Sequence, residues 1–178
     1  MKKILFALIL SVGFFATSAR AEDGLRVGVM DVMKINSDAA VMKSLNKQKD
    51  SALADIQKVV NAKRKDFEKR EDELKTKQSL MDKEAFLKEL QSFQKDVMDY
   101  DKQTEQKVAG IEKAYIEALK TIQKDYLDRI VRKIGTEKKY SLVLNSQTTI
   151  VLDKNLDITD SVIDALNEEV KEIKLNVK

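Results

Sequence analysis

Cysteine, histidine, proline and tryptophan are all absent from this 178-residue sequence. The lack of cysteine excludes disulfides. Without cysteine or histidine, the usual zinc sites and the serine–histidine and cysteine–histidine nucleophiles cannot form. The few glycines are too widely spaced for a phosphate-binding loop. Carboxylates are plentiful, but they are interleaved with lysine and arginine as on a solvated helix surface. We therefore assign no catalytic, cofactor-binding or metal-binding residues and predict that the chain is not an enzyme.

The amino terminus has the layout of a cleavable export signal. Lys2 and Lys3 precede an apolar stretch over residues 4–16, and small residues follow at Ala19 and Ala21. The apolar stretch is shorter than the ~20 residues that a membrane-spanning helix needs. We expect residues 1–21 to be a signal peptide that is cleaved after Ala21, and the rest of the chain to be exported.

Charge and aromatic content restrict the function further. The net charge of +3 is accounted for by Lys2, Lys3 and Arg20, so the chain after residue 21 is formally neutral. A protein that binds nucleic acid without sequence preference usually carries a basic excess, so we predict no nucleic-acid partner. Charged residues make up 35% of the sequence and aromatic residues only 6%. That composition favours long exposed helices over a thick core, and oligomerisation is the obvious further source of burial.

A long helix is predicted over residues 38–78, which contain no glycine. Four apolar residues in this stretch fall seven apart: Leu53, Val60, Phe67 and Leu74. That spacing is typical of a coiled-coil seam. The companion seam row begins with Ile56 and turns basic at Lys63 and Arg70. We therefore expect the helix pairing to loosen toward the far end.

Residues 79–82 are predicted to reverse the chain. Asp82 can cap a second helix, and Glu84 suits the positive field of its first turn. The second helix would extend to about residue 139, and two long helices joined by a short connection pack antiparallel. Residues 39–139 are thus predicted to form a helical hairpin with its tip near 79–82. We interpret Gly110 in the second helix either as a tolerated glycine or as a hinge.

Short strands flank the hairpin. Residues 25–31 alternate in polarity, and residues 140–144 and 148–152 are short β-branched or aliphatic segments, so we predict three strands. A last helix is expected with Thr159 as its cap and an apolar stripe formed by Val162, Ile163, Leu166 and Val170. The predicted fold class is α+β. Residues 22–38 and 140–178 form a small β-containing oligomerisation body, from which the hairpin projects as a coiled-coil tentacle.

This body is too small to bury much apolar surface by itself. The open edges of its short strands invite pairing with other copies of the chain. We therefore predict an obligate homo-oligomer whose sheet closes across subunits. The apolar residues expected at the subunit contacts are Val27, Val29, Leu142, Leu144 and Ile150.

Basic residues gather on the outer half of the hairpin, where they outnumber acidic residues between Lys58 and Lys95. Two interpretations stay open: they keep the helices soluble, or they attract anionic client or lipid surfaces. Apolar residues in the same half belong either to packing between the helices or to a client surface. The candidate client-binding residues are Lys63, Arg64, Lys65, Lys69, Arg70, Met81, Phe86 and Phe93.

Three segments resemble the Skp/OmpH family of periplasmic chaperones. They are VGVMD at residues 27–31, YSLVL at residues 140–144 and NLDITDSVIDALN at residues 155–167. Their order, with an export signal ahead and a charged helical insertion between them, spans the mature chain. The resemblance implies a periplasmic homotrimer in which three helical tentacles surround a cavity below an intersubunit β-containing body.

The resemblance also implies an activity. The protein would be an ATP-independent holdase that binds unfolded outer-membrane proteins in its cavity and prevents their aggregation before membrane insertion. Anionic membrane lipid or lipopolysaccharide is a further partner that the family suggests, and no residues of this sequence are assigned to it. Family members tend to be basic whereas this mature chain is neutral, so electrostatics is not expected to dominate client capture. The alternative is a coiled-coil structural or adaptor protein of the cell envelope.

Overall fold

The computed structural model describes residues 24–177, so the predicted signal peptide lies outside the described residues. The fold is α+β, with a small body and a long helical hairpin, as the sequence predicts. No helix within residues 24–177 combines the length and apolar character needed to cross a membrane. The elements in chain order are β1 Val27–Met30, α1 Val32–Asp38, α2 Ala40–Lys77, α3 Lys83–Thr121, a π-helical segment Ile122–Leu127, α4 Asp128–Lys138, β2 Leu142–Asn145, two 3₁₀ turns Ser146–Thr148 and Lys154–Leu156, and α5 Thr159–Glu169.

The sheet of the body consists of two parallel strands. Val27 of β1 pairs with Leu142 of β2, and the register continues to Met30 with Asn145. Parallel neighbours need a long crossover connection, and the helical hairpin is that connection. On its other side β1 makes one bridge, from Val29 to Asp157. β1 is therefore the central strand of the body.

The hairpin turns where the sequence predicts. α2 has 38 residues, a length of about 57 Å at the standard helical rise. The backbone N–H groups of Leu80 and Met81 both donate to Lys77 O at 2.9 Å, which closes the turn. The Asp82 carboxylate then accepts from the N–H groups of Glu84 and Ala85 and caps α3. α2 thus ends at Lys77, and α3 begins at Lys83 with Asp82 as its cap.

The second helix differs from the uniform helix predicted over residues 83–139, because residues Ile122–Leu127 are π-helical. Ile122 and Ile130 are buried in the body core, and the adjacent residues Tyr126 and Leu127 both pack against it. The π-helical segment thus contributes apolar contacts to the body core.

The third predicted strand, residues 148–152, is wrong for the single chain. A 3₁₀ turn occupies Ser146–Thr148, and Ile150 and Val151 lie outside any strand. The Thr148 hydroxyl donates to Asn145 O and the Thr149 hydroxyl to Ser146 O, both at 2.7 Å. Such local side-chain hydrogen bonds offer the backbone an alternative to a strand ladder. The segment also lacks a partner strand within residues 24–177.

Thr159 does not cap α5 as predicted, since it is the first helical residue and Ile158 occupies the cap position. Its buried hydroxyl instead accepts from Asp31 N at 2.9 Å and donates to Asp157 Oδ1 at 2.5 Å. The Asp157 carboxylate also accepts from Thr159 N, and these bonds lower the pKa of Asp157. Thr159 therefore joins the end of β1 to the start of α5.

The buried core of the body includes the amino-terminal end of α2 and the carboxyl-terminal end of α3. The predicted α5 stripe is confirmed, since Val162, Ile163, Leu166 and Val170 are all buried. They pack with Val41, Met42 and Leu45 of α2 and with Ala118 of α3. We propose that the body continues up each helix and that the independent arm begins near the Lys49–Glu112 ion pair. We call residues 49–112 the arm.

Candidate functional site

The seam predicted from the heptad spacing joins the two helices of the arm. Leu53, Val60 and Phe67 are half-buried, and Leu74 is buried. The Phe67 ring meets two aromatic rings of α3 edge-on, with centroids 5.9 Å from Phe93 and 5.7 Å from Tyr100. Edge-to-face pairs of this kind add to the stability gained by burial. Aromatic contact therefore holds the middle of the arm together.

The basic companion row does not loosen the pairing as expected. Lys63 Nζ lies 4.9 Å from the Phe67 ring centroid, and the Arg70 guanidinium lies 5.5 Å from that of Phe93. Arg70 also pairs with Asp96 on the opposite helix. Cations over aromatic faces and cross-helix ion pairs replace the apolar contacts of an ordinary seam. These two candidate residues thus have partners within the arm.

Phe93 is a further candidate client-binding residue, and it packs against Phe67 in the seam. The other five candidates fall into two groups. Arg64, Lys65 and Lys69 are exposed. Met81 and Phe86 are half-buried near the tip. The structure therefore does not bring the five basic candidates together on one surface. It places Arg64, Lys65 and Lys69 in solvent, and places Lys63 and Arg70 against the seam.

The arm carries exposed aliphatic side chains, and Leu80, Val59 and Leu87 among them are residues that the sequence analysis did not single out. Leu80 is 80% exposed and Met98 is 71% exposed, and Val59 and Leu87 are also exposed. None of them belongs to the seam row that packs the two helices. The sequence feature that could have identified them is that they are apolar residues outside the heptad register. The arm thus presents separate apolar contact points on a charged surface.

Ion pairs fix the two helices of the arm in register. Lys49 pairs with Glu112 at 3.0 Å near the base, and Lys77 pairs with Glu89 at 3.2 Å near the tip. The hydrogen bond to Glu112 raises the pKa of Lys49. Just below the arm, the Tyr115 hydroxyl donates to Asn46 Oδ1 at 2.7 Å. Cross-helix contacts therefore run from the base of the arm to its tip.

The predicted oligomerisation residues occupy two different environments. Val29 is buried inside the single chain, and Val27 and Leu144 are half-buried. Leu142 is 45% exposed, and Ile150 is fully exposed. Val151, which the prediction left out, is 87% exposed. Leu142 and Ile150 are thus the predicted contact residues that stay exposed in the single chain, and Leu25 and Met33 of the body are exposed as well.

The described residues offer no metal centre: within residues 24–177, no three histidine, cysteine, aspartate or glutamate side chains come together in a way that could hold an ion. Some acidic side chains pair with lysine, as in Lys75 with Glu71 and Lys120 with Glu117, and others accept backbone hydrogen bonds, as Asp82 does at the start of α3. The exposed apolar side chains of the arm and of the body are the candidate contact surfaces.

The fold agrees with a comparison against protein families. The family model described as outer membrane protein (OmpH-like) matches residues 26–166, which is most of the chain. The chain belongs to the OmpH-like family. A search of curated proteins gave no match.

A solved structure has the same OmpH-like fold. It is described as a candidate outer membrane chaperone (OmpH-like) from Caulobacter crescentus CB15. Its TM-score is 0.80 at 15% sequence identity, and the match covers 86% of this chain and 90% of that chain. At this identity the match shows the fold. The residues that carried the family resemblance, including Asp31 and Thr159, lie in the hydrogen-bonded centre of the body.

Residues 167–177 of this OmpH-like chain lie beyond the family match. One of them completes the body, since the Asn167 side chain accepts from Ala40 N at 2.7 Å. That bond satisfies an N–H at the start of α2, where the cap residue Ala39 offers no side-chain acceptor. The residues after Val170 form a tail that returns to the base of the arm.

Proposed function

We propose that this OmpH-like chain is a periplasmic chaperone that holds unfolded outer-membrane proteins without ATP. The observation that supports it most directly is the set of exposed aliphatic side chains on the arm, Leu80 and Met98 above all. Family membership supports a chaperone role in general. The proposed role needs no catalytic step, and the chain would bind its clients by passive contact.

The chemistry of the clients fits such a surface. Strands of outer-membrane barrels alternate apolar and polar residues, so an unfolded client offers many small apolar groups and no single large patch. Isolated aliphatic side chains on a charged rod make weak contacts with such a chain and leave it mobile. Exposed Arg64, Lys65 and Lys69 would add attraction for acidic clients or for anionic lipid headgroups, including those of lipopolysaccharide. Because the mature chain is neutral, this attraction is local and additional to the apolar contacts.

A cavity for clients requires several arms, so we also propose a homotrimer. Within residues 24–177, β2 pairs with β1 alone, which leaves its second edge open. Leu142 of β2 is exposed, as are Ile150 and Val151 in the segment that follows β2 in the chain. An open strand edge flanked by apolar side chains favours pairing with another copy. Ile150→Asp with Val151→Asp should give monomers in analytical ultracentrifugation, and intact trimers would contradict the proposal.

Client binding is tested by diluting a urea-unfolded outer-membrane protein into buffer and following light scattering. The mature chain should suppress aggregation at one trimer per client. Replacing Leu80, Leu87 and Met98 by serine should abolish most of the suppression while leaving the seam intact. The matched control replaces three exposed glutamines of the arm, Gln57, Gln91 and Gln94, by serine and should suppress as the wild type does.

The same assay separates the chaperone from an envelope adaptor protein. An adaptor would bind one fixed partner and leave client aggregation unchanged. Unchanged scattering with the wild-type chain would therefore contradict the chaperone proposal. Equal suppression by the leucine–methionine variant and the wild type would show that the exposed aliphatic side chains do not bind clients.

A further inference from the structure

The tail after Val170 lies in an extended conformation against the base of the arm. Gln48 of α2 binds the tail through both the nitrogen and the oxygen of its side-chain amide. Its Nε2 donates to Ile173 O at 2.9 Å, and its Oε1 accepts from Leu175 N at 2.9 Å. A residue of a neighbouring strand would make the same pair of bonds. Gln48 therefore binds the tail through its backbone, independently of side-chain identity.

The tail side chains alternate between buried and exposed positions. Ile173 and Leu175 are half-buried and pack against the body core, whereas Lys174 and Asn176 are exposed. Val177 continues the apolar series and lines a cavity of about 500 Å³, but it is 47% exposed. The tail thus has apolar residues at positions 173, 175 and 177, which is the period of a strand that buries one face.

The groove that takes the tail lies between α2 and α3. Ala52 and Ile56 line it from α2, and Gly110 and Ile111 line it from α3. Next to it, Gly110 and Ala114 line a second cavity of about 460 Å³ together with Ile173 of the tail. Small residues on α3 leave room for a third segment beside the two helices. Gly110 therefore has a position beside the tail that neither sequence interpretation anticipated.

We propose that this groove is a binding site for an extended peptide with apolar side chains at alternate positions, and that the tail occupies it in the absence of a client. The proposal rests on the proposed function, because the ligand class is a strand of an unfolded outer-membrane protein. Such a strand has the alternation that the tail shows. Backbone recognition by Gln48 would allow many sequences to bind.

Competition between tail and client follows from effective concentration. A tethered tail reaches its groove at a local concentration of order millimolar, so free peptide in dilute solution does not displace it. A client held between the arms is also confined and presents many candidate strands at once. The tail is held by two hydrogen bonds and two half-buried side chains, so a confined client strand can exchange with it.

The test uses a fluorescent peptide with the tail sequence, residues 171–178, and full-length mature protein. Ile173→Asp with Leu175→Asp releases the tail and leaves every groove residue in place. The peptide should bind this released variant at least about tenfold more tightly than the wild type, as judged by fluorescence anisotropy. Equal affinities, or no binding to the released variant, would overturn the proposal. Circular dichroism and sedimentation establish that the variant is folded and assembled.

The contribution of Gln48 is tested in the released variant. Gln48→Met keeps the length of the side chain and removes both bonds to the peptide backbone, so affinity should fall by about tenfold. Gln57→Met, at an exposed glutamine of the same helix, should leave the affinity unchanged. A second peptide has the same composition, but its apolar residues are adjacent. Its affinity for the released variant should be about tenfold lower than that of the alternating peptide, the same loss as Gln48→Met causes. Equal binding of both peptides would contradict recognition of alternation.

Hydrogen exchange of the wild type gives a second measurement that needs no released variant. An unfolded outer-membrane protein should accelerate exchange of the Leu175 amide, whose partner is Gln48, and a soluble folded protein should not. Unchanged Leu175 protection in the presence of bound client would overturn the groove proposal alone. Failure of the wild type to suppress client aggregation would overturn the proposed function, whatever the peptide binds.

Discussion

In the body, Val41, Leu45 and Leu166 are completely inaccessible to solvent, whereas in the arm the seam residues Leu53, Val60 and Phe67 stay half-exposed. The body packs helices, a short sheet and buried hydrogen bonds around one core. The arm repeats similar contacts along two helices, and most of them are open to solvent on one side, with Leu74 and Ile111 as buried exceptions. The body therefore specifies one geometry, while the arm gains its stability from many small and separable contacts.

This difference suits the proposed function, in which the body assembles in one way and the arm binds many clients. Loss of one arm contact leaves its neighbours in place, so an arm can deform locally around a client. Loss of one core contact in the body affects packing that every element shares. We expect substitutions in the two regions to separate assembly from binding, and the predictions below begin with the largest effect.

Leu166→Ala should destabilise the protein most. Leu166 is 0% exposed at the centre of the core, and removing such a side chain costs about 2–5 kcal/mol because a cavity remains. Leu53→Ala in the arm is the matched change and should cost less than half as much, because water can fill the space that it leaves. Urea unfolding at one fixed protein concentration measures both. Equal losses would remove the distinction between body and arm.

Phe67→Ala should loosen the arm and leave the body intact. It removes both edge-to-face contacts with Phe93 and Tyr100 and the surface under Lys63. We expect a loss of about 2–3 kcal/mol, at the lower end for a phenylalanine because the ring is half-exposed. Hydrogen exchange should accelerate between residues 60 and 100 but not at residues 162–166. Faster exchange throughout the body would show that the two regions unfold together. Phe67→Leu is the control that keeps most of the apolar volume.

The sequence predicts the arm better than the body because the arm is determined by local periodicity. The seven-residue spacing locates the seam, and Asp82 marks the turn. The segment at residues 148–152 has the composition of a strand, but a strand needs a partner, and no local pattern shows whether one is available. The hydroxyl of Thr159 and the amide of Gln48 bind residues more than 120 positions away. Such long-range contacts have no periodic signature in a single sequence.

Thr159→Val tests the hydrogen bonds at the centre of the body. Valine keeps the shape but leaves Asp31 N without its acceptor and removes the hydroxyl bond to Asp157. An unsatisfied buried donor costs about 1–3 kcal/mol, and we expect the lower part of that range because Asp31 is only partly buried. Thr159→Ser is the control that keeps the hydroxyl. If valine and serine have equal effects in urea unfolding, the hydroxyl contributes nothing.

The effect of Thr159→Val should depend on pH. The hydroxyl bond, followed by the backbone bond from Thr159, lowers the pKa of Asp157 in the folded protein. The stabilisation is therefore complete above the unfolded value of about 3.9 and is lost as pH falls through the lower folded value. The stability difference between wild type and Thr159→Val should be smaller at pH 3 than at pH 7. A difference that grows on acidification would contradict this linkage.

The smallest effect is expected from the charges of the arm. Arg70 pairs with Asp96 and lies over Phe93, whereas the neighbouring Lys69 is exposed. Arg70→Gln should cost about 0.5–1 kcal/mol, and Lys69→Gln should cost almost nothing. A double-mutant cycle with Asp96→Asn isolates the ion pair, and its coupling energy should shrink as salt is raised from 0.1 to 1 M because screening shortens the Debye length from about 10 to 3 Å. A coupling that is absent at low salt would show that Arg70 contributes through the Phe93 ring, and arm stability would then depend on aromatic contact rather than on charge.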